Sequence, residues 1–175
     1  MLKFLQAHPE TLFLAAIVTL SAVLPHPANV TPIGALGLFA GAYLDRRVFL
    51  LLPVLAALAA DLLTVGVYSL LVMAFVYAGH LLSALCGRWL LRSRRQLLGL
   101  PVAILAATAG FYLVSNLGNW WVYQPHSLAG VVECYVNGIP YLFRTLIGNV
   151  LYSVLFFGGY ALLQRALPRA PVIHG

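Results

Sequence analysis

Apolar runs separated by short basic or polar connections dominate the chain. The pattern predicts membrane spans over residues 11–25, 32–44, 48–67, 69–91, 100–116 and 141–163. A helix needs about 20 mostly apolar residues to cross a hydrocarbon core of roughly 30 Å. The runs fall near that length except for the first, of about 15 residues, and the second, which is shorter still and rich in small residues. The fold class expected is all-α: a polytopic membrane protein, one compact bundle of six transmembrane helices, with residues 1–175 forming a single domain.

Lys and Arg sort onto alternate connections. Lys3 precedes the first run, Arg46 and Arg47 join the second and third, Arg88, Arg92, Arg94 and Arg95 join the fourth and fifth, and Arg165 and Arg169 follow the sixth. Only Arg144 falls outside this set. Cytoplasmic connections carry the excess of Lys and Arg, so both termini are expected to be cytoplasmic. The localisation expected is the bacterial inner membrane, multi-pass. Lys3 followed by an apolar run also resembles a signal peptide. That run ends in LPHPANV without an A-x-A-like site, and its removal would leave an odd number of crossings, so cleavage is not expected.

Composition narrows the picture further. Of 175 residues 62% are hydrophobic and 8% charged, with a mean hydropathy of +0.95, which leaves no room for a separate soluble domain. The formal charge of +6 is accounted for by topology, and no nucleic-acid partner is expected. Cys86 and Cys134 fall on opposite sides in this topology, so free thiols are expected. Small residues recur four apart, as Gly37 with Gly41, Ala56 with Ala60 and Ala103 with Ala107. That spacing lets helices approach closely in lipid; packing within the monomer is the simpler use, docking of a partner the other.

The candidate chemistry lies opposite the basic connections. Residues 117–140, LGNWWVYQPHSLAGVVECYVNGIP, are expected to form a long outer loop, and loops of that length are commonly functional. Trp120, Trp121 and Tyr123 suit an interfacial belt, yet Asn116 and Asn119 within a helical turn of the tryptophans add hydrogen-bonding edges to the ring faces. Asp61, near the outer end of the third run, and Arg144, near the outer start of the sixth, are ionisable groups at membrane depth. They are expected either to pair with each other or to contact a ligand. His80 is expected to be a satisfied core histidine, while Asn149 suits a helix contact or the cavity equally. Cys134, His126 and Glu133 lack a metal-ligand spacing, so no metal and no cofactor is expected. No GxxxxGK[ST], HExxH or GxSxG motif is present, and the chain is not expected to be an enzyme. A membrane enzyme using His26, His126, Asp61 or Glu133 is the minor alternative.

Three segments, HPANVTPIGALGLFAGAYL, SNLGNWWVY and CYVNGIPYLFRTLIGNVLYSVLFFG, together resemble an uncharacterised six-span bacterial integral membrane family similar to the S components of energy-coupling-factor (ECF) transporters. The resemblance runs from about Leu24 to Gly159. It implies a vitamin-like solute bound in an outward-facing pocket, and association with a membrane scaffold subunit and cytoplasmic ATPases. Carried onto this chain, it implies ligand-binding positions at His26, Asn29, Asn116, Asn119, Trp120, Tyr135 and Arg144; the reading of the residues themselves adds Asp61 and Trp121. The first run, TLFLAAIVTLSAV, lacks the paired-alanine spacing by which S components contact their scaffold. The function expected is binding and uptake of a small, aromatic solute, stacked on Trp120 or Trp121 beneath a closing loop. The alternative is a non-catalytic structural or accessory subunit of a larger membrane complex.

Overall fold

A computed structural model describes residues 27–44, 48–92 and 96–166. The first predicted run, His26, Arg46, Arg47, Arg94, Arg95 and Arg169 lie outside the described residues. Among those described, every regular element is helical. The elements are α1 (Ile33–Tyr43), α2 (Leu51–Thr64), α3 (Leu70–Leu90), α4 (Gln96–Tyr123) and α5 (Leu128–Ser153), the last continuing through a π-helical turn, Val154–Gly158, into α6 (Gly159–Ala166).

Pro32 precedes the first turn of α1 with its φ already near helical values, which suits a helix start. From Ile33 to Ala42 every residue of α1 is buried. A helix apolar on all sides belongs in the middle of a bundle, and α1 packs against each of the other main helices. Its closest neighbour is α3. A Cβ at Gly41 would run into the Ala84 carbonyl, and one at Gly87 into the Leu38 carbonyl, so bare backbone at both positions sets how near the two helices come. The Gly37–Gly41 face is thus used inside the monomer. Ala103 and Ala107 are likewise buried, against Leu38 and Ala42.

Turn chemistry fixes the remaining ends. Gly66, with φ 77, closes α2 through its N–H to the Asp61 carbonyl at 2.7 Å, the left-handed C-terminal cap that glycine adopts without steric cost. Ser69 caps α3 by accepting the Val72 N–H at 3.4 Å. Ser127 caps α5 by accepting the Gly130 N–H at 3.1 Å.

One expectation is corrected. The stretch 117–140 is not a loop: α4 runs on to Tyr123, α5 begins at Leu128, and residues 124–127 alone are non-helical. Two local features explain the continuation. Gly118 is filled by the Phe75 ring, so it acts as a packing notch and not as a helix end. Beyond the turn Gly130, Cys134 and Gly138 are four residues apart and all buried: Gly130 lies against Pro125 of the turn, and Cys134 and Gly138 lie against Asn116 of α4.

Three stretches, Leu70–Leu90, Leu98–Tyr123 and Leu128–Arg165, are long and apolar enough to cross a membrane, while α1 and α2 are shorter apolar helices. Large apolar side chains face outward along them, among them Leu98, Leu105, Val132 and Leu151. Tryptophans mark two levels. Trp89 is exposed at one end, and Gly99 of α4 lies against the neighbouring Leu90. From Gly99 to Trp120 the same helix rises about 31 Å, close to the thickness of a bilayer core of roughly 30 Å. The chain is a membrane protein by these measures.

Both cysteines are free, with Cys86 toward the basic end of α3 and Cys134 toward the α4–α5 turn.

Candidate functional site

The start of α1, the end of α2, the start of α3 and the end of α4 meet at one end of the bundle, opposite Arg88, Arg92 and Arg165. Between them lies a cavity of about 740 Å³, within the range of pockets that hold small organic molecules. It exists because α1 is short. Eleven residues rise only about 16 Å, and the chain completes that level with the irregular segment 27–32, in which Asn29 adopts φ 66 and the Val30 N–H bonds the Pro27 carbonyl at 3.0 Å. Ala28, Asn29, Thr31 and Pro32 line the cavity. Irregular backbone at membrane depth is tolerated where protein buries it or where it borders a wet cavity.

Helical spacing brings polar groups to the wall. On α5 the lining residues Tyr141, Thr145 and Asn149 are four apart, and on α4 Phe111, Ser115, Asn116 and Asn119 share one face. Asn149 is buried and donates to Thr108 Oγ1 at 2.9 Å, while Thr108 donates to the Ile104 carbonyl at 2.7 Å. Asn116 donates to the Tyr112 carbonyl at 2.8 Å. Asn119 makes a long contact to Cys134 Sγ at 3.6 Å, and that thiol donates to the Asn116 carbonyl at 3.5 Å.

Asp61 is the one charged side chain lining the cavity among the described residues. Its Oδ2 accepts from the Tyr77 hydroxyl at 2.9 Å and from the Tyr68 hydroxyl at 3.3 Å. Burial, followed by the neighbouring Asp61 carboxylate, pushes the Tyr68 phenol up to about 12 from its ordinary 10.0, so that hydroxyl stays a donor at neutral pH. The pairing of Asp61 with Arg144 considered from the sequence does not form. Arg144 is exposed, its guanidinium 5.6 Å from the Tyr141 ring centre.

His80 departs from its expected role. The residue is 7% exposed and lines the cavity, its ring centre 4.7 Å from that of Phe111, yet Nδ1 has no hydrogen-bond partner. A buried polar atom left in that state costs about 1–3 kcal/mol, so His80 is not a satisfied core residue.

Of the positions singled out from the sequence, Asn29, Asp61, Asn116 and Asn119 line the cavity. Trp120 and Trp121 do not. They cluster with His126 at the α4–α5 turn, with ring centres 5.2–5.7 Å apart, where Trp120 Nε1 donates to the Pro125 carbonyl at 3.1 Å and His126 Nε2 lies 2.9 Å from the Trp121 carbonyl. Tyr135 also lies outside the lining, its hydroxyl donating to the Leu113 carbonyl at 2.7 Å. His80, read from the sequence as a satisfied core histidine, and Asn149, weighed there between a helix contact and the cavity, line the cavity as well, and the residues that sequence reasoning overlooked are Tyr77 and Thr145. A signal existed in the four-residue spacing of Tyr141, Thr145 and Asn149 within an apolar run, and in the pair of polar rings, Tyr77 and His80, on α3. Among the described residues no three His, Cys, Asp or Glu side chains converge as a metal site would require.

Residues 5–170 match a family of unknown function, DUF6580. The chain belongs to this family. No curated protein and no solved structure matches it. Membership therefore brings no assigned activity, and the comparisons give no link to the S components of ECF transporters. What the family member offers for a functional argument is its own cavity.

Proposed function

We propose that the chain binds and takes up a small, vitamin-like aromatic solute from the outer side of a bacterial cytoplasmic membrane. The observation that carries this reading is the cavity of about 740 Å³, walled by amides, hydroxyls and ring faces at the end of the bundle away from Arg88, Arg92 and Arg165. The preference for cytoplasmic Lys and Arg puts that end outside. With the first predicted run as a further crossing, the path has six spans and both termini in the cytoplasm. The solute contacts proposed are Asn29, Asp61, Asn116 and Asn119, with the rings of Phe111 and Tyr141 taking the stacking role first given to Trp120 and Trp121. Tyr135 and Arg144, which do not line the cavity, are not among the proposed contacts. No engine is encoded in the chain, so the solute moves down its gradient or the protein works with a scaffold and ATPases, as an S component does.

Support for uptake over an accessory subunit, which would dock a partner through its small-residue faces and the aromatic 117–140 segment, comes from α3 already occupying one of those faces, Gly37–Gly41.

Native mass spectrometry of the full chain, purified in mild detergent, tests the proposal. A retained heteroaromatic compound, lost in Asn116→Leu but kept in Trp121→Ala, is the expected result. An empty preparation, together with no change in melting temperature across a panel of ring compounds, would overturn it.

A further inference from the structure

Within that reading, which this inference rests on, we infer that the solute is an organic cation: a ring-bearing amine or cationic heterocycle that places its positive charge at Asp61.

Three observations converge. First, the cavity contains an acid without a base. Asp61 is the sole charged lining residue among those described, and its hydrogen bonds come from two neutral phenols, Tyr68 and Tyr77, both on Oδ2. Arg88, Arg92 and Arg165 stand at the far end, and Arg144 faces outward over Tyr141. A half-buried carboxylate facing a cavity at membrane depth is stabilised by a counter-charge, and an incoming cation supplies one. An anionic solute would meet Asp61 with no lining cation to offset the repulsion. Second, Tyr68, Phe111 and Tyr141 line the same space. Aromatic rings attract positive charge and stack on a flat solute; the Tyr141 ring already carries Arg144 and the Phe111 ring packs on His80, which leaves Tyr68, beside Asp61, as the ring best placed for the charge. Third, the His80 ring borders the same space with its centre 4.7 Å from that of Phe111, so it adds ring surface to the wall.

A matched indole series tests the charge preference on the full chain in detergent: tryptamine (cation), tryptophol (neutral) and indole-3-propionate (anion), with affinities read by equilibrium dialysis. Tryptamine is expected to bind at least about tenfold tighter than either of the others. Asp61→Asn should bring the three to within about twofold, and Asp61→Glu should keep the cation preference, which separates lost charge from lost fold. His80→Phe, which keeps a ring at the wall and leaves Asp61 in place, should leave the ratio of the three unchanged. Equal or tighter binding of tryptophol or indole-3-propionate by the wild-type protein would overturn the cation assignment while the uptake reading stands. Binding of none of the three, with no small molecule retained on purification, would bring down both.

Discussion

The two ends of the bundle are built from the same helices and come out opposite in character. At the basic end α1 meets the π-helical turn, and Phe39, Tyr43, Phe156, Phe157 and Tyr160 form a continuous ring cluster with centres 4.6–6.0 Å apart. Arg88 ties this end down, donating to the Leu44 carbonyl at 3.0 Å and lying 5.1 Å from the Phe49 ring centre. At the other end α1 has stopped, the irregular segment 27–32 takes its place, and the space fills with amides, hydroxyls, one acid and an unpartnered imidazole. The lesson lies in the length of one helix. Where α1 occupies the axis the bundle is sealed by rings, and where it falls short a pocket remains.

Mutations should divide along that line. Phe39→Ala should have the largest effect on stability. Phe39 is fully buried at the centre of the ring cluster, and such truncations cost about 3–5 kcal/mol. In lipid the loss is of dispersion contacts more than of water exclusion, which places it at the lower end, about 3 kcal/mol. Reversible unfolding in mixed micelles should show that loss, with cavity binding retained in the fraction that stays folded. A stable Phe39→Ala protein that had lost binding would erase the distinction between the ends.

His80→Phe should act in the reverse sense. It removes a buried nitrogen that has no partner, a state costing about 1–3 kcal/mol, and retains a ring against Phe111. The empty protein should therefore melt at a higher temperature, with the cation preference of the cavity retained. A lower melting temperature would mean that His80 is used structurally.

Tyr68 gives a pH test. Its folded pKa is raised from 10.0 to about 12, so the folded state holds this proton more tightly than the unfolded one. The associated stability is fully present below pH 10 and is lost as pH rises toward 12. Tyr68→Phe should make that decline shallower in a thermal-shift series from pH 9 to 12. An unchanged slope would detach Tyr68 from Asp61.

The smallest effect belongs to Trp121→Ala. The side chain is 53% exposed at the α4–α5 turn and lines no part of the cavity. Dialysis should find solute affinity within about twofold of the parent. A larger loss would return the tryptophans to the binding site.

The sequence reveals the helical class and the polar end plainly, because apolar runs, the alternation of Arg and the clustering of Asn116 and Asn119 are local signals. Asp61 stood out for the same reason, a carboxylate in an apolar run. Two kinds of information were hidden. The helices of the 117–140 stretch were masked by Gly118, Gly130 and Gly138, which look like breakers in one dimension and are contact points in three. The partners of Asp61 were hidden because Tyr77 lies 16 residues away and is brought near only by the turn at Gly66. His80 was read from the sequence as a satisfied core histidine, and the missing partner of its Nδ1 is a property of the packed state.

The two thiols turn this asymmetry into a built-in reporter. Cys134 is wedged between the Asn116 carbonyl and the Asn119 amide, directly behind the wall a solute would touch, whereas Cys86 sits half-buried in the far layer beside Leu38 and Ala103. Alkylation kinetics of the unmutated protein would thus carry signal and reference in one chain: occupancy slows modification of the first sulfur and leaves the second as the clock.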